Sequence, residues 1–415
     1  MERGILVTHG TDTLAWTLPF LRYALKDLSC NVCLTGSQVP MERAFAYSDG
    51  FQNIHGAVRF LSVLEPPNLF AVFNHGASAF ADSLAKVERW RGSAFIGDPL
   101  ATMEWDEVQH RAGDARLREP ALLDELHLIT TGGTIDSAPD KAGGPPLTPG
   151  SSVVEDFLRM ALPGAFRKIL VHRVCQVDSA EMTRPLMEAI ARQVWHCATG
   201  RTDTDPGPAE GLDLRFADGV SLAYCDPFRS AADYCEVVQR SRAVVLAGYG
   251  GGNACADPRL PENALEALHL AREQGKPFIL SSQVPIGPAD FIYETAARFI
   301  REGAISGVDQ SLPECQLRLM HLLGHERELA EMADRLGCRS DTLFEMLFLS
   351  GMKFRNRASR SHYQILTQGR VPLLGPDLLV GHPFEAVEEQ VRRLLGDGLR
   401  HLDRDVEALR SRGLS

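Results

Sequence analysis

The stretch ITTGGTIDS at residues 129–137 reads as a β-strand that runs into paired glycines and leaves a threonine hydroxyl at the mouth of a sheet. Apolar Leu128 and Ile129 and β-branched Thr130 and Thr131 suit a strand, while Gly132 and Gly133 let the backbone turn sharply and approach a bound molecule with no side chain between. Thr134 is the candidate nucleophile, although an ordinary turn would also satisfy the two glycines. A second stretch, ILVTHGTDT at 5–13, repeats strand, glycine and threonine, with Thr11, Asp12 and Thr13 following Gly10 where a helix should begin. In an open α/β sheet both strand ends face one crevice, so Thr134 and Thr11 are expected on either side of one small substrate.

A chain of 415 residues, 44% of them hydrophobic, exceeds what one core usually serves, so two domains plus an extension are expected. The formal net charge of -11, with no arginine- or lysine-rich stripe, argues against nucleic acid or an anionic membrane as partner. Nine cysteines are scattered along the chain. Cys30 and Cys33 form a CNVC pair, but no second pair or histidine stands at ligand spacing, and Cys33 in VCL reads as a small hydrophobe in a strand. With no apolar signal core and no run of 18 apolar residues, a soluble cytoplasmic protein is expected.

In chain order, strands are expected at 4–8, 31–36, 68–76, 128–131 and 168–174, and helices at 12–28, 51–64, 151–161 and 183–195. Residues 106–126 read as charged and irregular, and 138–150, rich in proline and glycine, as an irregular loop. RTDTDPGPAEG at 201–211 has the composition of a linker. A second α/β domain follows, with strands at LAY, AVVLAGY and PFILSSQ and helices at 230–240, 261–274 and 289–301. Residues 326–351 read as helices and 384–410 as a charged amphipathic helix suited to assembly or to capping a domain.

TTGGTI at 130–135 and THGTDT at 8–13 resemble the two threonine signatures of the L-asparaginase/glutaminase family, particularly its cytoplasmic type I branch. VDSAEMT at 177–183, LTGSQVP at 34–40 with SDG at 48–50, GYGGGNA at 248–254 and GAISGVDQSLPE at 303–314 extend the resemblance over roughly residues 4–325. The resemblance implies a two-domain, three-layer α/β fold with mostly parallel sheets: a catalytic domain at 1–200, a linker at 201–211, a C-terminal domain at 212–335 and a mainly helical extension at 336–415. It implies catalysis by Thr134, Thr11, Asp12 and Lys86, and substrate binding by Gly10, Gly133, Asp178, Ser179 and Asn253. Ser179 would hold the substrate α-carboxylate, Asp178 and Asp12 its α-ammonium, and Asn253 would reach the site of a neighbouring subunit. Asp178 and Ser179 equally suit a helix N-cap, and GYGGGN equally suits a simple turn. A homodimer or homotetramer is expected, with no metal or organic cofactor.

The blocks stand out of the family's order, which places TGGTI first, then DS-x-x-MT, then THGTDT. A circular permutation within the first domain, with blocks 1–105 and 126–200 exchanged, explains this order; so would a truncated copy joined to a second incomplete one. Each block occurs once, which favours the permutation. A tyrosine that family members carry in the lid after TGGTI is missing, its place falling near Gly144; Tyr47 is the nearby alternative. The implied reaction is hydrolysis of L-asparagine through a threonine acyl-enzyme, with backbone N–H groups near Gly132, Gly133 and the THGTDT helix stabilising the oxyanion. Hydrolysis of another small amide or cyclic imide, or binding of an amino acid without turnover, are the alternatives.

Overall fold

The computed structural model describes residues 2–41, 47–81, 84–87, 94–97, 99–103, 110–112, 118–136, 152–202, 206–285, 289, 291–350, 363–368 and 391. They fall into two compact units, 1–214 and 215–415.

The first unit contributes β1 (Arg3–Thr8), α1 (Leu14–Ala24), β2 (Asn31–Thr35), α2 (Asp49–Val63), β3 (Leu69–Phe73), β4 (Ser78–Phe80), β5 (Ala85–Lys86), β6 (Phe95–Ile96), β7 (Pro99–Met103), β8 (His110–Ala112), β9 (Leu123–Gly132), α3 (Val153–Ala161), β10 (Phe166–Val177) and α4 (Arg184–Thr199). One eight-stranded sheet runs in the order β10-β9-β1-β2-β3-β4-β7-β8. Its first five strands are parallel, whereas β4, β7 and β8 are added antiparallel. Side chains alternate across the strands, so Leu6, Leu126 and Leu128 join the core under α2 and α3, where Ile54, Val58, Leu61 and Leu158 complete the cluster. Each such fully buried aliphatic side chain contributes about 1.5–3 kcal/mol of transfer free energy. α1 and α4 pack against each other on the other face.

Several expectations need correction. The helix read at 12–28 stops at Ala24, because the Lys26 N–H donates to the Gly211 carbonyl and Asp27 takes a positive φ of 55°. The stretch 106–126 is not wholly irregular: 110–112 is a strand, and β9 begins at Leu123 rather than Leu128. The antiparallel strands at 78–80 and 99–103 carry no periodic signal of their own and are held by cross-strand pairing. The described part of the stretch read as a linker folds onto the first unit. Leu212 bridges Leu25, and buried Asp213 accepts a hydrogen bond from Lys26 Nζ at 3.1 Å. The stretch 138–150 read as an irregular loop, with Gly144, and all but one residue of the helix expected at 384–410 lie outside the described residues.

The second unit alternates β11 (Val220–Tyr224), α5 (Ala231–Arg240), β12 (Ala243–Gly248), α6 (Leu265–Glu273), β13 (Phe278–Ser282), α7 (Glu294–Arg301) and β14 (Ile305–Ser306), followed by α8 (Leu312–Gly324), α9 (Glu326–Leu336) and α10 (Ser340–Phe348). Its sheet is parallel throughout, in sequence order β11-β12-β13-β14. α5 starts at a side-chain cap, where Ser230 accepts from Asp233 N, whereas α6 starts at Leu265, later than position 261. The chain therefore has a two-domain α/β architecture with one mixed and one parallel sheet and C-terminal helices.

Candidate active site

In the first sheet the chain leaves β1 towards β2 and β3 on one side, but leaves β9 towards β10 on the other. Strand order reverses between β1 and β9, and in open α/β sheets such a reversal opens a crevice beyond the carboxyl ends of the strands. The register brings those ends level: Thr8 stands opposite both Thr35 and Thr130, and Gly132 opposite Val177. The motifs that the sequence separates by more than a hundred positions all leave the sheet here.

The exits are packed backbone to backbone. A Cβ on Gly133 would stand 2.6 Å from Gly10 Cα, and a Cβ on Gly10 would stand 2.3 Å from Ser179 Cβ, so neither position has room for a side chain. Gly133 also takes φ of +80°, and its N–H donates to the Val177 carbonyl at 2.9 Å. That N–H is thus committed to the fold and not to an oxyanion. Among the described residues the N–H groups of Thr11, Asp12 and Thr134 have no acceptor, and neither do the hydroxyls of Thr11 and Thr134. Thr134 opens a single 3-10 turn, Thr134–Asp136, directly after the glycines.

Asp12 is the electrostatic centre of the cluster. Lys86, presented by the β5–β6 hairpin, donates to Asp12 Oδ1, and Ser179 Oγ donates to Asp12 Oδ2 at 2.5 Å. The Lys86 ammonium first, and the Ser179 hydroxyl second, hold the Asp12 carboxyl below the ordinary carboxylate range. Thr13 Oγ1 donates to the Ser179 carbonyl at 2.9 Å and ties the two motifs a second time. Asp178 is exposed and caps the 3-10 turn Ser179–Glu181: its carboxylate accepts from Ala180 N at 2.9 Å, and Glu181 returns the bond to Asp178 N at 3.1 Å. The N-cap reading of Asp178 therefore holds. Asn253 lies in the second unit, after β12, where Thr295 Oγ1 donates to its side-chain carbonyl.

Other contributors lie inside or beside the quoted motifs, which give no sign of their roles. His9 is fully buried, with Nδ1 against the Gly10 carbonyl at 2.8 Å and Nε2 against Thr17 Oγ1 at 2.9 Å, and burial lowers its pKa to about 4, so it stays neutral. Asp136 accepts from Ser152 Oγ at 2.8 Å and from the N–H groups of Val153 and Val154 at the start of α3, although burial outweighs these and raises its pKa. This pair ties Asp136 to Ser152 across the intervening stretch of chain. Met41 N donates to the Ile135 carbonyl at 3.4 Å, which brings the exit of β2 against the Thr134 turn. A grouping of metal-binding side chains, His127, His172 and Cys197, lies further back along β9 and β10.

The family description "Asparaginase, N-terminal" matches residues 2–113, and "Glutaminase/Asparaginase C-terminal domain" matches residues 220–336. The 60 kDa lysophospholipase of Homo sapiens is 36% identical over 112 residues, which is 26% of this chain and 19% of that protein, so the chain spans about a fifth of this relative. The L-asparaginase of Thermococcus kodakarensis is 23% identical over 332 residues, 79% of this chain and 72% of that protein. The solved structure of the thermostable L-asparaginase from Thermococcus kodakarensis superposes with a TM-score of 0.48 at 20% identity, covering 82% of this chain and 73% of that one. Among the described residues no helix is long and apolar enough to cross a membrane. Both domains of one family are thus matched in their usual succession, and the chain belongs to the asparaginase/glutaminase family.

Proposed function

We propose that the protein releases ammonia from L-asparagine, or from an amide of closely similar size, through an acyl-enzyme on Thr134. The observation that carries this reading is the convergence of Gly10–Asp12, Gly133–Thr134, Ser179 and Lys86 at the reversal between β1 and β9. Thr134 Oγ attacks the side-chain carboxamide carbon, and its proton passes by way of Thr11 and the Asp12–Lys86 pair to the departing nitrogen. The N–H groups without acceptors at Thr11, Asp12 and Thr134 are the donors available to the oxyanion. Water then cleaves the ester, adding its oxygen to the acyl carbon and giving one of its protons to Thr134 Oγ. Gly10 and Gly133 serve by letting the backbones meet. Ser179 binds the α-carboxylate through its backbone N–H while its hydroxyl holds Asp12, and Asp12 with Asp178 reads the α-ammonium. Asn253 serves a neighbouring subunit's site in a homodimer or homotetramer.

Ammonia release from asparagine, glutamine and succinamic acid tests the proposal. Thr134→Ala and Thr11→Ala should each abolish release while asparagine still binds within a few fold, because groups acting on one transition state are grossly non-additive. Near-normal turnover by Thr134→Ala would remove the nucleophile assignment. Succinamic acid lacks the ammonium. Losing a charge-assisted hydrogen bond worth about 1.5–3 kcal/mol should lower its kcat/KM by roughly ten- to two-hundredfold. Equal rates on both substrates would move the substrate to another class of small amide.

The same observations support the circular permutation. β1 and β9 are neighbours in one sheet of one chain, whereas the N-terminal family match ends at residue 113, before the TTGGTI and DSAEMT blocks. A chain rebuilt with residues 123–202 ahead of 2–113 should fold and keep ammonia release. Failure with several linker lengths would favour a fusion of two incomplete copies.

A further inference from the structure

A second cluster stands on the face of the first sheet covered by α4, remote from the crevice. His127 on β9, His172 on β10 and Cys197 on α4 bring one ligand atom each to within 4.8 Å of one another. His127 Nδ1 and His172 Nε2 are 3.1 Å apart, with the rings nearly parallel at 11°. Two imidazole nitrogens bound to one tetrahedral zinc ion at about 2.0–2.1 Å lie roughly 3.3 Å apart, so the pair is already spaced as two ligands of a single ion.

The surroundings match those of a metal site. His127 is 93% buried (7% exposed), and its other nitrogen, Nε2, faces the Glu125 carboxylate. That atom lies 3.5 Å from Glu125 Oε2, where a carboxylate would fix the tautomer that leaves Nδ1 free to bind. The Gln193 side-chain amide nitrogen lies 3.4 Å from Cys197 Sγ and donates to the sulfur. Neutral imidazole and thiolate together suit zinc better than the oxygen-seeking cations.

We propose that His127, His172 and Cys197 bind one zinc ion, with a fourth position left to water. Binding exchanges the thiol proton for a zinc–sulfur bond, so one proton is released per ion. His127 lies five residues before Gly132, roughly 17 Å back along the strand at about 3.3 Å per residue, too far for the ion to touch substrate. Its role is to clamp α4 onto β9 and β10, the outer strand pair that carries Thr134 and Ser179.

The test needs no activity measurement and is therefore independent of the amidohydrolase assignment. Full-length protein stripped by a chelator is titrated with Zn2+ and with Co2+. The wild type should bind about one ion per chain, gain a near-ultraviolet thiolate-to-cobalt band and melt several degrees higher with zinc. Cys197→Ser should lose the band, His172→Gln should lose tight uptake, and Cys225→Ser, a buried cysteine of the second unit, should keep both. His172 is only half-buried, so its variant remains informative should Cys197→Ser not fold. The proposal is overturned by a wild type that takes up no cobalt at micromolar concentration, or by a band that survives Cys197→Ser.

Discussion

The two units end their parallel strands in opposite ways. In the first, Thr131, His9 and Thr35 at the exits of β9, β1 and β2 are buried and hydrogen-bonded through their side chains. In the second, Tyr224 at the end of β11, and Tyr249 and Val284 after β12 and β13, are exposed, and Phe228 beyond β11 is 94% exposed. The difference follows strand order, which reverses between β1 and β9 but runs β11-β12-β13-β14 without reversal. Parallel sheet alone does not make a reactive crevice; the reversal does, by sending the two flanking connections to opposite faces.

The sharpest way to break this comparison is to remove charge from the first unit's exits. Lys86→Met should lower kcat/KM by about two to three orders of magnitude, the scale of a lost acid–base or charge-stabilising group. With the ammonium gone, the Asp12 carboxyl rises towards its ordinary range, so the acidic limb of the pH profile should move to higher pH. An unchanged limb would detach Asp12 from the reaction.

Buried neutral His9 gives the next effect. Its pKa is about 4 in the folded protein against 6.5 for the free side chain, so the unfolded chain binds the extra proton first as pH falls. Stability is then full above pH 6.5 and declines towards pH 4, by up to about 3 kcal/mol for a shift of this size. His9→Gln should flatten that decline in denaturant unfolding measured across this range. A decline of unchanged depth would assign it to other groups.

Glycine substitutions at comparable turns give the smaller effects. Gly10→Ala places a methyl 2.3 Å from Ser179 Cβ and should cost about 1–3 kcal/mol together with most of the activity. Gly250→Ala, in the glycine-rich turn after β12, meets nothing nearer than Val284 Cγ2 at 3.8 Å and should stay within about 0.5 kcal/mol. Equal losses in chemical denaturation would erase the distinction between the two sets of exits.

Much of the candidate site was legible because its residues sit inside short motifs, strand then glycine then hydroxyl, whose local chemistry dictates a turn with a hydroxyl at its end. The central strands were legible for the same local reason: VCLT and ILVT are β-branched and apolar. Ser78–Phe80 and Pro99–Met103 were not, since their strand state comes from partners across the sheet. Asp124 and Glu125 also disguised the start of β9. There Asp124 accepts from Glu2 N at 2.9 Å, a contact between distant parts of the chain. His9, and the clasp of Asp136 with Ser152, were silent because burial and a helix start, not spacing, give them their roles. His127, His172 and Cys197 share no sequence spacing at all, and only the register of β9 with β10 and the packing of α4 unite them.

The place of β1 has a kinetic consequence. Thr131 Oγ1 donates to the Thr8 carbonyl across 123 positions of chain, and β1 lies between β2 and β9. On a ribosome working at about 5–20 residues per second, the flank of β1 that β9 will cover waits roughly 6–25 s as an open edge of apolar strand. Nascent chains halted after residue 122 should therefore bind holdase chaperones, whereas chains halted some 40 residues beyond 202, past the exit tunnel, should not. Synthesis of the first half alone exposes a surface whose only proper cover is still being translated.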